Sequence, residues 1–243
     1  MRAKETLLLR SWPRPRPVVD LGCGDGHFAS MTFAPPADVG VDPHWLALRE
    51  ASARKGHRLL VRANGANLPF PSQSVGTVVA NSVLEHIPAL EAVLSEVVRV
   101  LRPQGRFYLT VPGPGFSRYL SVARFFDALR LRPLAGWYRT FFNRVSRHVH
   151  VDPPEVWIAR LDRLGFSVVA SQSYLGPRAL TVVEWGHYLG FPLYLAKKIT
   201  KSFRPWHWRW KQAWLAHWLV KVAAEDVGEG AYWFFAAEKG NTT

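Results

Sequence analysis

The chain has one cysteine, Cys23, among its 243 residues, and only two methionines. A single thiol excludes an internal disulfide framework and a cysteine-based zinc site. It also fits a reducing, intracellular setting. Acid is scarce: 18 Asp and Glu stand against 31 Lys and Arg, a formal net charge of +13. No stretch approaches the ~20 uninterrupted apolar residues of a membrane-spanning helix. The most apolar candidate, residues 180–196, is broken by Glu184, Gly186, His187, Gly190 and Pro192. Near the start, the apolar run Leu7 to Leu9 is too short for a signal peptide and has no small-residue cleavage site after it. Repeats and low-complexity tracts are missing too. With 48% hydrophobic and 20% charged residues, the composition is globular. The length suits one domain carrying insertions.

The positive charge is unevenly placed. Residues 1–16 carry five Lys/Arg against one acid, residues 113–150 seven against one, and residues 176–222 eight against one, which leaves the rest of the chain net acidic. Basic additions on a near-neutral core suggest an anionic partner, either phospholipid headgroups or nucleic acid.

Between the additions the pattern alternates strands and helices. Pro17 to Leu21 reads as a buried strand running into glycines. A helix follows from about Gly26 to Phe33, then a strand over residues 37–42 ending in Asp42. Pro43 suits the first turn of the next helix, which runs to about Ala53. Strands are expected over 58–61 and 75–80, and a helix over 89–101 with apolar residues Leu90, Val93, Leu94, Val97, Val98 and Leu101 on one side. Pro103-Gln104-Gly105 is expected to break the chain before a strand over 106–111. A helix over 153–164 and strands over 166–174 and 231–238 complete the core. The expected fold is α/β: a Rossmann-like, doubly wound, mostly parallel seven-stranded sheet with an antiparallel last strand and two aromatic, basic helical insertions. Its parts are a basic N-terminal segment (1–16), a nucleotide-binding core (17–112), a lid segment (113–150), a core continuation (151–174), a Trp-rich basic insertion (175–230), and a last strand and tail (231–243).

The chemistry concentrates at Asp20-Leu21-Gly22-Cys23-Gly24-Asp25-Gly26. Glycines between a strand and a helix let the backbone turn sharply and lie against a ligand without a Cβ clash, while the helix start offers free N–H groups. Asp42 stands at the end of the next strand, about twenty residues on, a spacing that suits hydrogen bonding to a ribose diol. Together these features favour an adenosine ligand.

Four blocks, VVDLGCGDGHF, GVDPH, ANLPFPSQS and NSVLEHIPALEAVLSEVVRVLRPQGRFYLTVP, follow in order between Val18 and Pro112. On these blocks the chain resembles the class I S-adenosylmethionine-dependent methyltransferases, and most of all the ubiquinone/menaquinone-type (type 11) branch. The turn has G-x-G-x-G rather than the dehydrogenase G-x-G-x-x-G. The resemblance implies S-adenosyl-L-methionine as cofactor. It implies that Gly22, Gly24 and Gly26, with Cys23 in the same loop, meet the methionine moiety. Asp20 would help hold the amino group, and Asp42 with Pro43 the ribose. Asn64-Gly65 stands where relatives carry an acid-small pair facing adenine, and Asn81 and Ser82 would face the methionine end. Gly76, where relatives commonly have Asp, reads as structural.

Methyl transfer requires an in-line nucleophile and exclusion of water, and a base helps where the nucleophile is a phenol, hydroxyl or acidic carbon. The candidate bases are His86 and Glu85, just after the fourth strand, and His150, with His148, near the end of the lid segment. Cys23 reads as a small packed side chain. No metal site is expected, because the histidines lack ligand spacing with a carboxylate or second thiol.

In residues 113–150, Phe and Leu alternate with Arg118, Arg124, Arg130 and Arg132; residues 175–222 add Trp185, Trp206, Trp208, Trp210, Trp214 and Trp218 with Lys197, Lys198, Lys201, Arg204, Arg209, Lys211 and Lys221. Basic and aromatic faces on one helix describe a segment lying in the membrane interface. The expected acceptor is a small molecule or a lipid, the expected partner an anionic membrane surface, and the expected setting cytoplasmic, peripheral on the inner face of the membrane. The alternatives are a soluble small-molecule methyltransferase with an aromatic lid, an RNA or DNA methyltransferase, and a non-catalytic cofactor-binding module. Against nucleic acid, the fourth strand leads into Asn81-Ser82-Val83-Leu84, not the Asn/Asp-Pro-Pro-aromatic of many base methylases. Nothing in the sequence sets an oligomeric state.

Overall fold

A computed structural model describes residues 1–186, 188 and 228–241. Most of the Trp-rich basic insertion, residues 187 and 189–227 with Trp206 to Trp218 and Lys197 to Lys221, lies outside the described residues.

The short apolar runs become strands buried on both faces. β1 (Val18–Leu21) and β4 (Val75–Asn81) are buried at every position. Successive side chains point to opposite faces of a strand, so Val18 and Val79 join one core while Val19, Val78 and Ala80 join the other. With β2 (Ala37–Asp42), β3 (His57–Arg62), β5 (Leu101–Pro112), β6 (Phe166–Tyr174) and β7 (Tyr232–Lys239), they form one seven-stranded sheet in the order β3-β2-β1-β4-β5-β7-β6. The strands from β3 to β5 are parallel to their neighbours, and β7 runs antiparallel to both β5 and β6.

Helices cover both faces. Phe28 and Ala29 of α2 (His27–Thr32) pack with Leu8 and Leu9 on one side. On the other, α4 (Leu90–Val100) buries Leu90, Val93, Leu94, Val97 and Val100 beside Trp157 and Leu161 of α8 (Pro154–Arg163). Helix α3 (Trp45–Arg54) follows β2 but starts later than expected: His44 is its N-cap, so Pro43 lies ahead of the helix and not in its first turn.

Two features differ from expectation. The expected break at residues 103–105 is absorbed into β5, which already pairs at Leu101 with Val75 before Arg106 meets Thr77. The extra residues on β5 form a bulge, with Gln104 at φ +60°. The basic N-terminal segment is also more than a tail. It forms α1 (Arg2–Arg10), whose Leu8 and Leu9 bury against the sheet and whose Glu5 is buried. Gly76 has the structural role expected of it: a Cβ there would come within 2.5 Å of the Pro15 carbonyl oxygen, where the segment after α1 crosses β4.

Residues 113–150, the segment expected to be a lid, fold as three helices, α5 (Pro114–Arg118), α6 (Ser121–Ala128) and α7 (Arg132–Val145). Buried Glu184, from the helix that starts at residue 177, accepts from the backbone N–H groups of Ser121 and Val122 and from the Tyr138 hydroxyl. These contacts hold α6 and α7 together. Among the described residues, no helix is long and apolar enough to cross a membrane.

Candidate active site

The strand order reverses direction between β1 and β4, and a cleft opens there beyond their carboxyl ends, the usual ligand position in such sheets. It is lined by Arg2, Asp20, Gly22, Cys23, Gly24, Asp25, His27, Phe28, Asn81 and Ser82, and holds about 390 Å³ of empty space, open solvent included.

The glycine turn is built as its sequence demands. Gly22, Gly24 and Gly26 have φ of +70°, +54° and +73°, a region L side chains rarely adopt. Their surroundings differ. A Cβ at Gly24 meets no heavy atom within 4 Å and would enter open space at the cleft. At Gly22 it would lie 2.5 Å from Val83 Cγ1, and at Gly26 3.0 Å from the Cα of Ala51. Gly26 thus lets α2 approach α3, and it is not among the residues lining the cleft. The Asp42 carboxylate is buried beside the turn and accepts from Gly24 N–H at 3.0 Å and His44 N–H at 2.8 Å. Pro43 offers its carbonyl to Arg62 Nε.

Asp20 is held by a residue that sequence reading did not single out. The His57 ring reaches from β3 across β2 and places Nε2 2.8 Å from Asp20 Oδ2, both side chains almost wholly buried. The crossing needs Gly40 on β2, where a Cβ would sit 2.7 Å from the ring. Burial pushes the Asp20 carboxyl above its ordinary range, opposed by the His57 hydrogen bond and charge. Burial, and the nearby Asp20 and Asp42 carboxylates, push the Cys23 thiol far up, in keeping with a packed side chain.

At the β4 side of the cleft, Asn81 Nδ2 donates to Glu5 Oε2 at 2.9 Å, Ser82 Oγ donates to Glu5 Oε1 at 3.2 Å, and the Tyr174 hydroxyl donates to Oε1 at 3.0 Å. Arg2 contacts Glu5 and the Asn81 carbonyl. Glu5, Arg2 and Tyr174 escaped the sequence reading, since Arg2 and Glu5 of α1 meet Asn81, Ser82 and Tyr174 only through the tertiary fold. Asn64 caps its own turn, its Oδ1 accepting from Ala66 N–H, and Gly65 packs near Leu21 and Val93.

Glu85 and His86 lie on a 3₁₀ turn, Leu84–His86, beyond the cleft lining. Val149 and His150 N–H donate to the Glu85 carbonyl at 2.7 and 3.2 Å, and His150 Nε2 lies 3.0 Å from the Ile87 carbonyl oxygen. His148 packs its ring on Phe116 and against His86. Glu85 is 1% exposed, and burial pushes its carboxyl up to about 8.

Strand order, glycine turn and the Asp42 contact define a class I methyltransferase domain. Residues 19–109 match the family described as methyltransferase domain. An uncharacterized methyltransferase of Mycobacterium sp. (strain JLS) is 34% identical over 125 residues, 47% of this chain and 50% of that protein. The demethylmenaquinone methyltransferase of Symbiobacterium thermophilum is 28% identical over 159 residues, 61% of this chain and 62% of that protein. In fold, the chain is similar to a crystal structure from Thermotoga maritima described as a SAM-dependent methyltransferase, possible histamine N-methyltransferase (TM-score 0.61, 16% identity, 98% of this chain and 88% of that one). The chain spans about half the length of the first curated relatives it matches. Residues 19–109 thus carry a methyltransferase domain of the class I S-adenosylmethionine-dependent, type 11 kind.

The cofactor of that family is S-adenosylmethionine, and the residues present fit it. The cleft is open where Gly24 lacks a Cβ. Each Asp42 oxygen has one backbone donor and keeps lone-pair capacity for a sugar hydroxyl. Arg2 and Asp20, of opposite charge, line the same cleft and suit the carboxylate and amino group of the methionine part.

Proposed function

We propose that the protein transfers a methyl group from S-adenosylmethionine to a lipophilic acceptor presented at an anionic membrane surface. The methyl-transfer part is carried by one observation, the bond between Gly24 N–H and Asp42, which sets the open glycine turn beside a ribose-binding acid. S-adenosylmethionine supplies an activated methyl on a good leaving group. The chain's own work is to bind and orient it and to exclude water. Gly24 and Asp42 hold the nucleoside side, and Asp20, fixed by His57, and Arg2 hold the amino-acid side. Buried Glu5, Asn81 and Thr110 close off the wall beyond Ser82.

The lid supports the acceptor half of the reading. On α7, Leu134, Trp137, Phe141 and Val145 recur on one side and are all exposed, Trp137 at 62%. Trp137 and Phe141 stack at 5.5 Å. Phe125 on α6 and Leu129 just after it are exposed too, as are Arg124, Arg130, Arg132, Arg144 and Arg147 of the same segment. The acid of this segment, Asp127, is taken by Arg139. Aromatic side chains edged by arginine match the boundary between acyl chains and anionic headgroups.

Two measurements test this. Tritium from methyl-labelled S-adenosylmethionine is expected in an organic-solvent extract after incubation with membranes; counts confined to water-soluble products support a soluble acceptor, and counts in RNA or DNA a nucleic-acid one. The protein is expected to float with anionic vesicles at low salt; protein left wholly in the soluble fraction rejects the membrane half.

A further inference from the structure

Three side chains with no part in the cofactor cleft converge between the turn after β4 and the end of the lid. Glu85, His86 and His148 each offer one ligand atom, and these atoms all lie within 4.8 Å of one another. Sequence spacing hides the group, because His148 follows His86 by 62 residues and arrives only when the lid folds back.

The geometry of each donor is suited to a cation. Glu85 is almost fully buried, and its Oε2 has no hydrogen-bond partner. A buried oxygen left without a partner is costly unless something electropositive meets it. His86 Nδ1 lies 3.0 Å from the Arg147 carbonyl oxygen. That oxygen only accepts, so Nδ1 carries a hydrogen, and in the neutral imidazole Nε2 is the nitrogen with a lone pair to offer. Such a carbonyl behind a histidine is the arrangement that orients metal-ligating imidazoles. The Nε2 lone pair faces Glu85 Oε1 at 3.7 Å, too far for a hydrogen bond. An ion about 2.0–2.2 Å from each ligand in a tetrahedral site wants ligand atoms about 3.4 Å apart. The Glu85–His86 pair is nearly there, and every pair of the three lies within 4.8 Å.

The backbone already holds the two halves in place, through the Val149 and His150 N–H bonds to the Glu85 carbonyl. One face stays wet: the His86 side chain is 41% exposed. Two imidazoles and one carboxylate suit zinc, with a fourth position open, whereas magnesium and calcium prefer oxygen alone.

We infer that Glu85, His86 and His148 form a site for one zinc-like divalent cation, which clamps the end of the lid to the turn after β4 and leaves one coordination position open to solvent. The inference does not depend on the methyl-transfer reading.

The test uses the whole, untagged chain, stripped with a chelator. It is titrated with zinc chloride by calorimetry and with cobalt(II) followed by visible absorption. One tight equivalent and the intense band of low-coordinate cobalt are expected. Altering a residue behind a ligand costs about 10–100-fold in affinity, so His86→Ala and His148→Ala, which remove ligands, should each cost at least that. Glu85→Gln keeps the buried shape and should also weaken binding. Zinc should raise the melting temperature of the wild type and leave that of the His86→Ala/His148→Ala double variant unmoved. Changing His187, His207 and His217 together to alanine should leave the tight equivalent intact. A wild type without a tight equivalent, or a double variant that binds as well as the wild type, overturns the inference.

Discussion

Asn81 Nδ2 donates to Glu5 Oε2 at 2.9 Å, joining the end of β4 to the helix at the start of the chain. The same carboxyl also accepts from Ser82 and Tyr174. Glu5→Ala would therefore strand three polar groups in or near the core. The expected loss of stability is about 2–4 kcal/mol, read from urea unfolding. Glu5→Gln keeps an acceptor oxygen and should lose clearly less; no loss in Glu5→Ala would show that the network contributes nothing.

Gly24 and Gly22 separate ligand space from packing. Gly24→Ala adds a Cβ in open space at φ +54°, so its cost to the fold is about 1–2 kcal/mol from left-handed backbone alone. Cofactor binding by calorimetry should fall at least tenfold, because that methyl occupies the cradle. Gly22→Ala carries the same strain plus contact with Val83 at 2.5 Å and should melt at a lower temperature than Gly24→Ala.

Asp42→Asn removes the charge beside the turn while preserving the shape. Hydrogen bonds to a charged group contribute about 1.5–3 kcal/mol, so affinity for S-adenosylmethionine should weaken by roughly tenfold to a hundredfold. Undiminished affinity would remove Asp42 from the ribose site.

The lid patch makes a prediction of its own. Trp137→Ser with Phe141→Ser should cut recovery with anionic vesicles by at least tenfold and leave the melting temperature nearly unchanged, since both rings are exposed. Raising the salt should weaken wild-type binding in the same assay.

Acid stability should follow Asp38. Burial alone would raise its pKa, but hydrogen bonds from Arg16 and from Val18 N–H prevail and hold it below the usual carboxylate range. A depressed folded pKa stabilises the fold above the unfolded value, about 3.9, and that contribution is lost as pH falls through the folded value. Asp38→Asn should therefore melt lower than wild type at pH 6, with the gap narrowing below pH 4. A gap that stays constant with pH would assign the effect to shape rather than charge.

Local sequence carries the glycine turn and the acid beside it. The turn and Asp42 lie within one βαβ unit, so strand, glycines and acid can be placed by counting along the chain. The same holds for α4, whose apolar spacing matches its buried face. What sequence does not carry is assembled over long separations. Glu5 meets Tyr174 across 169 residues, and His57 meets Asp20 across an intervening strand. Neither contact leaves a periodic signal. Glu85 and His86 lie just past the fourth strand, as chain order indicates, but their neighbours His148, Val149 and His150 come from the end of the 113–150 segment, and no spacing rule links the two.

Gly40 has a bearing on how this domain can diverge. Its bare backbone is the gap through which the His57 ring passes to Asp20. Any lineage that places a side chain at position 40 must shrink position 57 in step, and Asp20 then loses its interior counterpart. The two positions should drift as a pair among descendants of this sequence.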